Sequence, residues 1–256
     1  MQKLISIDLK ADFGFFRKPD ANNTVNLSYN IAHKPALLGL LGAIIGLAGY
    51  QEKGKMPEYY KELSQIGIGI SPLDHENGNF QKTVIKYSNT VGYANKGTTY
   101  LTEEATLIKP SYRVYLILNL ENEYEQKLCM YLQNGWSEFL PYFGKNEHYA
   151  WWDKESYEEY EFEQHADNNH NMFVKTVFIK ENIVNENKAE PVFDMFSFMT
   201  EEKPYMYFER LPRDFDQSLF QYNVEDYVFT TFRLKNSIGM SNLYFLKQDD
   251  CYVQLL

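Results

Sequence analysis

The pattern of this 256-residue chain predicts an α+β fold, a ferredoxin-like N-terminal part with a protruding hairpin and a smaller β-rich C-terminal part. Three observations predict it. Tyr112, Val114, Leu116 and Leu118 alternate with Arg113, Tyr115, Ile117 and Asn119, the period of a strand. Pro35 opens an apolar run to Tyr50 that carries Gly39, Gly42, Gly46 and Gly49, as suits a buried helix packed closely on its neighbours. The elements then follow as strand, helix, strand, excursion, strand, helix, which is most of a split βαβ unit.

In chain order, Ile5, Ile7 and Leu9 alternate with Ser6, Asp8 and Lys10 and predict a half-buried first strand. Residues 11–31 lack a period and carry Gly14, Pro19 and a polar run, so a long loop is expected there. Such a loop is uncommon in a packed domain unless it has a task. The apolar helix starts with Pro35 at its first position and stops near Gly49. A shorter helix follows from Pro57 to about Gln65, then a strand over Ile66–Ile70. Asn77-Gly78 marks a hairpin turn, with a strand over Phe80–Tyr87. Residues 90–106 are rich in Gly, Thr and Asn and predict an exposed excursion. After the Tyr112–Leu118 strand, Tyr124, Leu128, Tyr131 and Leu132 predict a helix ending near Gly135. Strands are expected at 172–180, 205–210, 227–234, 243–246 and 251–255. The chain divides into residues 1–145, with the protruding hairpin at about 75–106, and residues 146–256.

Composition narrows the function. The apolar run is too short to span a bilayer, and no leader-like segment opens the chain, so no membrane partner and a cytoplasmic location are expected. Cys129 and Cys251 stand far apart, without metal-binding spacing. His165 and His170 have no third ligand at suitable spacing, so neither a metal nor a cofactor is expected. Phosphate-loop, nucleophile-elbow and metalloprotease motifs are absent, and Gly67-Ile-Gly69 lacks the third glycine of a dinucleotide fingerprint. The net charge of −10 is unevenly spread: residues 1–100 carry +3 and residues 101–256 carry −13. Seven carboxylates fall between Asp153 and Asp167 against the single Lys154. That block reads as a solvated acidic face, or as a fence that confines a polyanion to the N-terminal half.

The better signals are for nucleic acid. Arg17 and Lys18 sit among Phe13, Phe15 and Phe16, while Tyr29, His33 and Lys34 precede the apolar helix. Lys82, Lys86, Tyr87, Tyr93 and Lys96 repeat the mixture of cations and rings on the hairpin. Cations engage phosphates and aromatic faces stack on unpaired bases. The three phenylalanines also suit a core. RNA-recognition modules share the ferredoxin-like strand order, but their usual stacking motif is absent, so stacking on an open sheet is not expected.

Several blocks resemble CRISPR-associated (Cas) proteins of family five. They are Ala11-Asp-Phe-Gly-Phe-Phe-Arg-Lys-Pro19, then Tyr29, then His33-Lys-Pro-Ala-Leu-Leu-Gly-Leu-Leu-Gly-Ala-Ile-Ile-Gly46. Pro110–Leu118 and Leu140-Pro-Tyr-Phe-Gly-Lys-Asn-Glu147 follow in order. Tyr205–Thr231, with Phe208-Glu-Arg-Leu-Pro212, looks most like type I-B members. The resemblance implies a modified RRM fold with a thumb hairpin, in a subunit of the type I interference complex (Cascade) used in antiviral defence. Such a subunit is non-catalytic and caps the 5′ handle of the guide crRNA. Its neighbours are the repeated backbone subunit and the large subunit, with a contact to target DNA near the protospacer-adjacent motif left open. The RNA contacts expected are Arg17, Lys18, Tyr29, His33, Lys34, Lys82, Lys86, Tyr87, Lys96, Lys145 and His148. One branch of the family, in type I-C, cuts precursor RNA without metal through Tyr, Lys and His. Tyr29, His33, Lys34, Lys145 and His148 are the residues here that could form such a set. A protein-only scaffold subunit is the third alternative.

Overall fold

A computed structural model describes residues 1–19, 24–89, 100–165, 171–184, 187–198, 203–235 and 240–256. Its architecture is mixed α+β and dominated by sheet. The central sheet is built on β1 (Gln2–Ala11). The chain continues through β2 (Phe13–Gly14), β3 (Phe16–Arg17), β4 (Val25–Tyr29), α1 (Lys34–Ile45), α2 (Glu58–Leu63) and β5 (Gly67–Leu73). A long hairpin, β6 (Lys82–Asn89) and β7 (Tyr100–Ile108), precedes β8 (Ser111–Asn119), α3 (Glu123–Asn134), β9 (Ala150–Trp151) and β10 (Glu158–Tyr160). The central sheet runs β10-β1-β8-β5, antiparallel throughout, and β9 also pairs with β1. Asp8 and Arg113 face each other across β1 and β8 and form a two-point ion pair at 2.7 and 3.1 Å.

Both faces of this sheet are covered. Ile5, Ile7, Leu9, Val114, Leu116 and Leu118 pack with the apolar residues of α1 and α3. On the other face Leu4, Tyr115 and Ile117 meet Leu246, Cys251, Val253 and Leu255 from the end of the chain. The first strand is therefore buried on both sides rather than half-buried. Even Ser6 is inside, its hydroxyl 3.0 Å from that of Tyr160. Burying each such aliphatic side chain contributes roughly 1.5–3 kcal/mol. The Gly67-Ile-Gly69 pair is explained by the same cover. The chain end pairs with Ile68 through two backbone bonds of 3.1 Å. A Cβ on Gly69 would lie 2.7 Å from Leu255 Cδ2 and 2.9 Å from the Gln254 carbonyl oxygen.

Between residues 11 and 31, where a loop was expected, the described residues include the strands β2, β3 and β4. A second sheet runs β2-β7-β4-β3, with β6 on β7. The β4–β7 pairing is parallel and joins segments some 75 residues apart, so it leaves no local period. The return arm of the hairpin is likewise ordered, and Thr106 and Leu107 are fully buried at its base. Its tip, with Tyr93 and Lys96, lies outside the described residues. The Asn77-Gly78 turn forms as expected: both residues have positive φ, +50° and +84°, as a tight two-residue turn requires.

Beyond β10 come β11 (Phe162–Gln164), β12 (Phe178–Ile179), β13 (Asn182–Val184), β14 (Asn187–Ala189) and β15 (Phe193–Phe198). Then follow β16 (Met206–Asp216), β17 (Gln221–Thr230), β18 (Phe232–Leu234), β19 (Leu243–Leu246) and β20 (Cys251–Gln254). The strand expected at 172–180 is reduced to β12 and two isolated bridges at Met172 and Val174. Residue 145 is not a seam in the packing. β9 and β10 complete the central sheet from beyond it, and Val177, Leu211, Tyr227 and Phe229 share one core with α1. The hairpin of β16 and β17 packs through β16 on the outer side of α1, which explains why α1 is apolar on nearly every side.

Gly69→Ala is expected to lower stability by about 1–3 kcal/mol, the usual cost of overpacking. Gly49→Ala, where a Cβ meets nothing within 4 Å, should be neutral within roughly 0.5 kcal/mol. Urea denaturation of the two variants checks the contrast.

Candidate nucleic-acid interface

His33 begins the site. Its extended backbone and its Nδ1, which accepts from the Ala36 N–H at 3.3 Å, cap α1. Lys34 is thus the first helical residue and Pro35 the second, one position later than expected. The helix ends at Gly46, not Gly49, because Gly46 takes the left-handed cap with φ +83°. The carbonyls left open at that end are bonded by Glu138 N, Phe139 N and Lys127 Nζ, at 2.9, 3.1 and 2.8 Å. This pins residues 138–139 to the helix. Gly42 lets Tyr59 lie against α1, since a Cβ there would sit 2.3 Å from that of Tyr59.

These contacts leave a groove of about 910 Å3 along α1. Its walls are one side of α1, the 46–51 loop, Tyr59, the Phe139–Lys145 segment, Phe15–Arg17 and Tyr222. Tyr50, Phe139 and Leu140 are 60%, 58% and 74% exposed, so rings and aliphatic surface stand open to a ligand. Gly144 closes one end. It has φ +81°, and a Cβ there would lie 1.9 Å from the Phe15 carbonyl oxygen. Phe15 N also donates to Phe143 O at 3.0 Å, which fixes the two walls together.

The expected contact residues are sorted by this geometry. Arg17 lies exposed on the groove wall with no ion pair among the described residues. Lys145 also lines the groove. Its Nζ is 2.8 Å from Glu104 Oε2 and lies over the rings of Tyr87 at 4.1 Å and Phe15 at 5.9 Å. Burial pulls its pKa down, but the hydrogen bond and charge of Glu104 raise it above the ordinary lysine value. His33 lines the groove as well, yet burial lowers its pKa to about 3, so the ring is neutral. Tyr29 is buried beneath it, ring centroids 5.3 Å apart.

The other candidates stand elsewhere. Lys18 pairs with Glu209 at 3.0 Å and lies 5.0 Å over Tyr29. Lys82 feels the same carboxylate; burial lowers its pKa, Glu209 raises it and Lys18 lowers it. Lys86 is bonded across the hairpin to Glu103 at 2.7 Å, an exposed pair that contributes at most about 1 kcal/mol. Lys34 faces a different cavity. His148 is buried beside Phe13, and among the described residues neither ring nitrogen has a hydrogen-bond partner. Burial is the first cause of its lowered pKa. Lys96 lies outside the described residues. Phe15 and Phe16 are core residues, whereas Phe13 is partly exposed.

Sequence reasoning did not name as contacts the groove's rings Tyr50, Tyr59, Phe139, Tyr142 and Tyr222, although Tyr142 and Tyr222 fall within the blocks that carry the resemblance. It also missed the node that holds the groove's far wall. The buried Glu209 carboxylate accepts from Asn30 N at 3.0 and 3.1 Å and from Ile31 N at 3.0 Å, in addition to Lys18. Asn30 in turn donates to Gly78 O at 2.7 Å, accepts from Phe80 N at 2.9 Å, and its carbonyl accepts from Tyr112 Oη at 2.6 Å. Among the described residues no three His, Cys, Asp or Glu side chains gather as metal ligands, and no helix is long and apolar enough to cross a membrane.

No protein-family model matches the chain, and no curated protein matches it in sequence. Among solved structures, the chain is similar to a CRISPR protein from Archaeoglobus fulgidus, with a TM-score of 0.49 and 13% identity over 98% of this chain and 97% of that one. It is also similar to a chain of a CRISPR RNA-guided surveillance complex, with a TM-score of 0.45 and 11% identity over 90% and 91%. A third is a chain of the Type III-B Cmr-beta complex bound to cognate target RNA and AMPPnP, with a TM-score of 0.43 and 12% identity over 99% of each.

Replacing Glu209 by Ala is expected to cost about 3–5 kcal/mol, because it strands two buried N–H groups and leaves Lys18 unpaired. Glu209→Gln keeps an acceptor and should cost less. Chemical denaturation of both variants gives the comparison.

Proposed function

We propose that this chain is a non-catalytic RNA-binding subunit of a type I CRISPR interference complex, and that it holds the 5′ handle of the guide RNA in the groove along α1. One observation carries the reading: blocks that lie far apart in sequence, each resembling family five of the Cas proteins, meet on this one groove. Residues from Phe15–Arg17, from one side of the His33–Gly46 stretch, from Leu140–Lys145, and Tyr222 line it. In this reading the sheet order β10-β1-β8-β5, with helices between, is a ferredoxin-like, modified RRM unit, and the β6–β7 hairpin is its thumb. The subtype I-B reading rests on the Tyr205–Thr231 block alone. The backbone and large subunits of the complex are the protein partners this reading implies.

The groove's chemistry favours stacking over charge. Arg17 is its one uncommitted cation among the described residues, and Lys145 is shared with Glu104. Exposed rings take the faces of unpaired bases, as in other single-strand binders. The non-catalytic assignment is supported by the state of the two histidines. A general base must reach the proton it removes, whereas His33 is spent on the helix cap and His148 is enclosed.

Two phosphate contacts predict a shallow salt dependence for the isolated chain, a slope of log K against log salt near roughly −1.4. Tyr50→Ala and Tyr142→Ala should each weaken binding of a handle oligonucleotide by about 1–3 kcal/mol. Fluorescence anisotropy against a scrambled RNA measures both, and equal, poor binding of the two RNAs would sink the reading. In EDTA, a precursor repeat RNA should stay intact over hours with the purified chain. A discrete cut lost in His33→Ala or His148→Ala would make the protein a nuclease instead.

A further inference from the structure

A second cavity, of about 640 Å3, opens between the start of α1, the start of β5, the end of β8 and the end of β16. Tyr60 and Phe215 line both this cavity and the groove and form the partition between them. Two half-buried cations, Lys34 and Arg213, line it. Neither has a hydrogen bond or ion pair among the described residues. They are close enough to repel: burial first, then Arg213, hold the Lys34 amine at about 8, against the pull of Asp214.

Carboxylates line the cavity too, but they are already engaged. Asp214 Oδ1 accepts from Asn223 Nδ2 at 2.5 Å, and Glu125 Oε2 accepts from the Asn119 N–H at 2.6 Å. The placement of Arg213 is a built feature of the strand. Pro212 pairs with Val224 and Asp214 with Asn223, so Arg213 is the extra residue of a β-bulge, a device that re-aims a side chain beside a site. Asp214 offsets part of the repulsion between the two half-buried cations, and a ligand anion held between them offsets more of it.

A guanidinium beside an ammonium suits the several oxygens of a phosphate. The volume falls in the range of small-ligand sites and exceeds what an inorganic anion fills. The partly exposed rings of Phe215 and Tyr244 supply faces for a base. We propose that this cavity binds a phosphate monoester carried on a nucleoside, the phosphate on Lys34 and Arg213 and the base against the aromatic wall. The proposal stands apart from the RNA groove. The same chemistry is offered by a free mononucleotide and by the phosphorylated end of an RNA strand.

The test has two arms, titration with adenosine 5′-monophosphate against adenosine, and with a short RNA bearing a 5′-phosphate against its 5′-hydroxyl form. In at least one arm the phosphorylated probe should bind tenfold or more tighter. Preference in the first arm identifies a free nucleotide, and preference in the second alone a strand end. Lys34→Gln and Arg213→Gln should abolish the preference, while Lys61→Gln, which removes a cation outside both cavities, should keep it. A reading that needs no variant is labelling of the wild-type chain with an amine-reactive ester, followed by mass spectrometry. The phosphorylated probe should reduce Lys34 labelling at least threefold and the unphosphorylated one should not. Absence of phosphate preference in both arms, survival of the preference in both glutamine variants, or equal Lys34 labelling with both probes would overturn the proposal.

Discussion

The rest of the structure depends on one buried carboxylate. Glu209 binds the backbone of residues 30 and 31 and the ammonium of Lys18 at once, and it does so from β16, nearly 180 residues further along the chain. Asn30 passes the constraint on, to the Asn77-Gly78 turn, to Phe80 and to Tyr112 in the central sheet. The first loop, the base of the long hairpin, the central sheet and the C-terminal hairpin are thereby one hydrogen-bonded unit. A buried charge is tolerable only when its bonds are complete. The node thus fixes where residue 29 ends and where α1 begins, and so the orientation of the groove.

The second constraint is that the central sheet has no free face. In the usual single-strand reader a sheet offers its rings to bases. Here β19 and β20 cover that face with Leu246, Cys251 and Val253. On the proposed reading the ligand surface lies elsewhere, and the flank of α1 is one place where exposed rings border a groove. The glycines of α1 serve this arrangement unequally: Gly42 admits Tyr59, and Gly46 turns the chain into the exposed loop that carries Tyr50.

Local pattern was legible in the sequence wherever an element is long and its partner near. β8, α3 and the Asn77-Gly78 turn follow from period and turn chemistry alone. β2, β3 and β4 do not, because strands of two to five residues gain their stability from pairing: β2 and β4 pair with β7, far along the chain, and β3 pairs with β4. Of the expected contacts, Arg17 was read from the sequence as a cation among rings and Lys145 from the resemblance, and the fold puts both on the groove wall. His33, read as a candidate contact, caps α1 as well as lining the groove, and Tyr29 is buried beneath it. Lys18 was claimed for RNA and is held by Glu209, and Lys34 turns away from the groove. Glu209 was invisible, since a lone carboxylate in a strand gives no sign of being buried. The bulge that turns out Arg213 depends on the register of two strands, which residue order does not display.

The most direct test of the account is ultraviolet cross-linking of the intact chain to a handle RNA, with the attached peptides read by mass spectrometry. The account predicts adducts on Tyr50 and on the Phe139–Tyr142 segment, and none on Tyr115, which lies under the covered face, or on Tyr252, which is buried on the opposite side of β20. Adducts confined to residues outside the groove, with Tyr50 and Tyr142 unmodified, would contradict it.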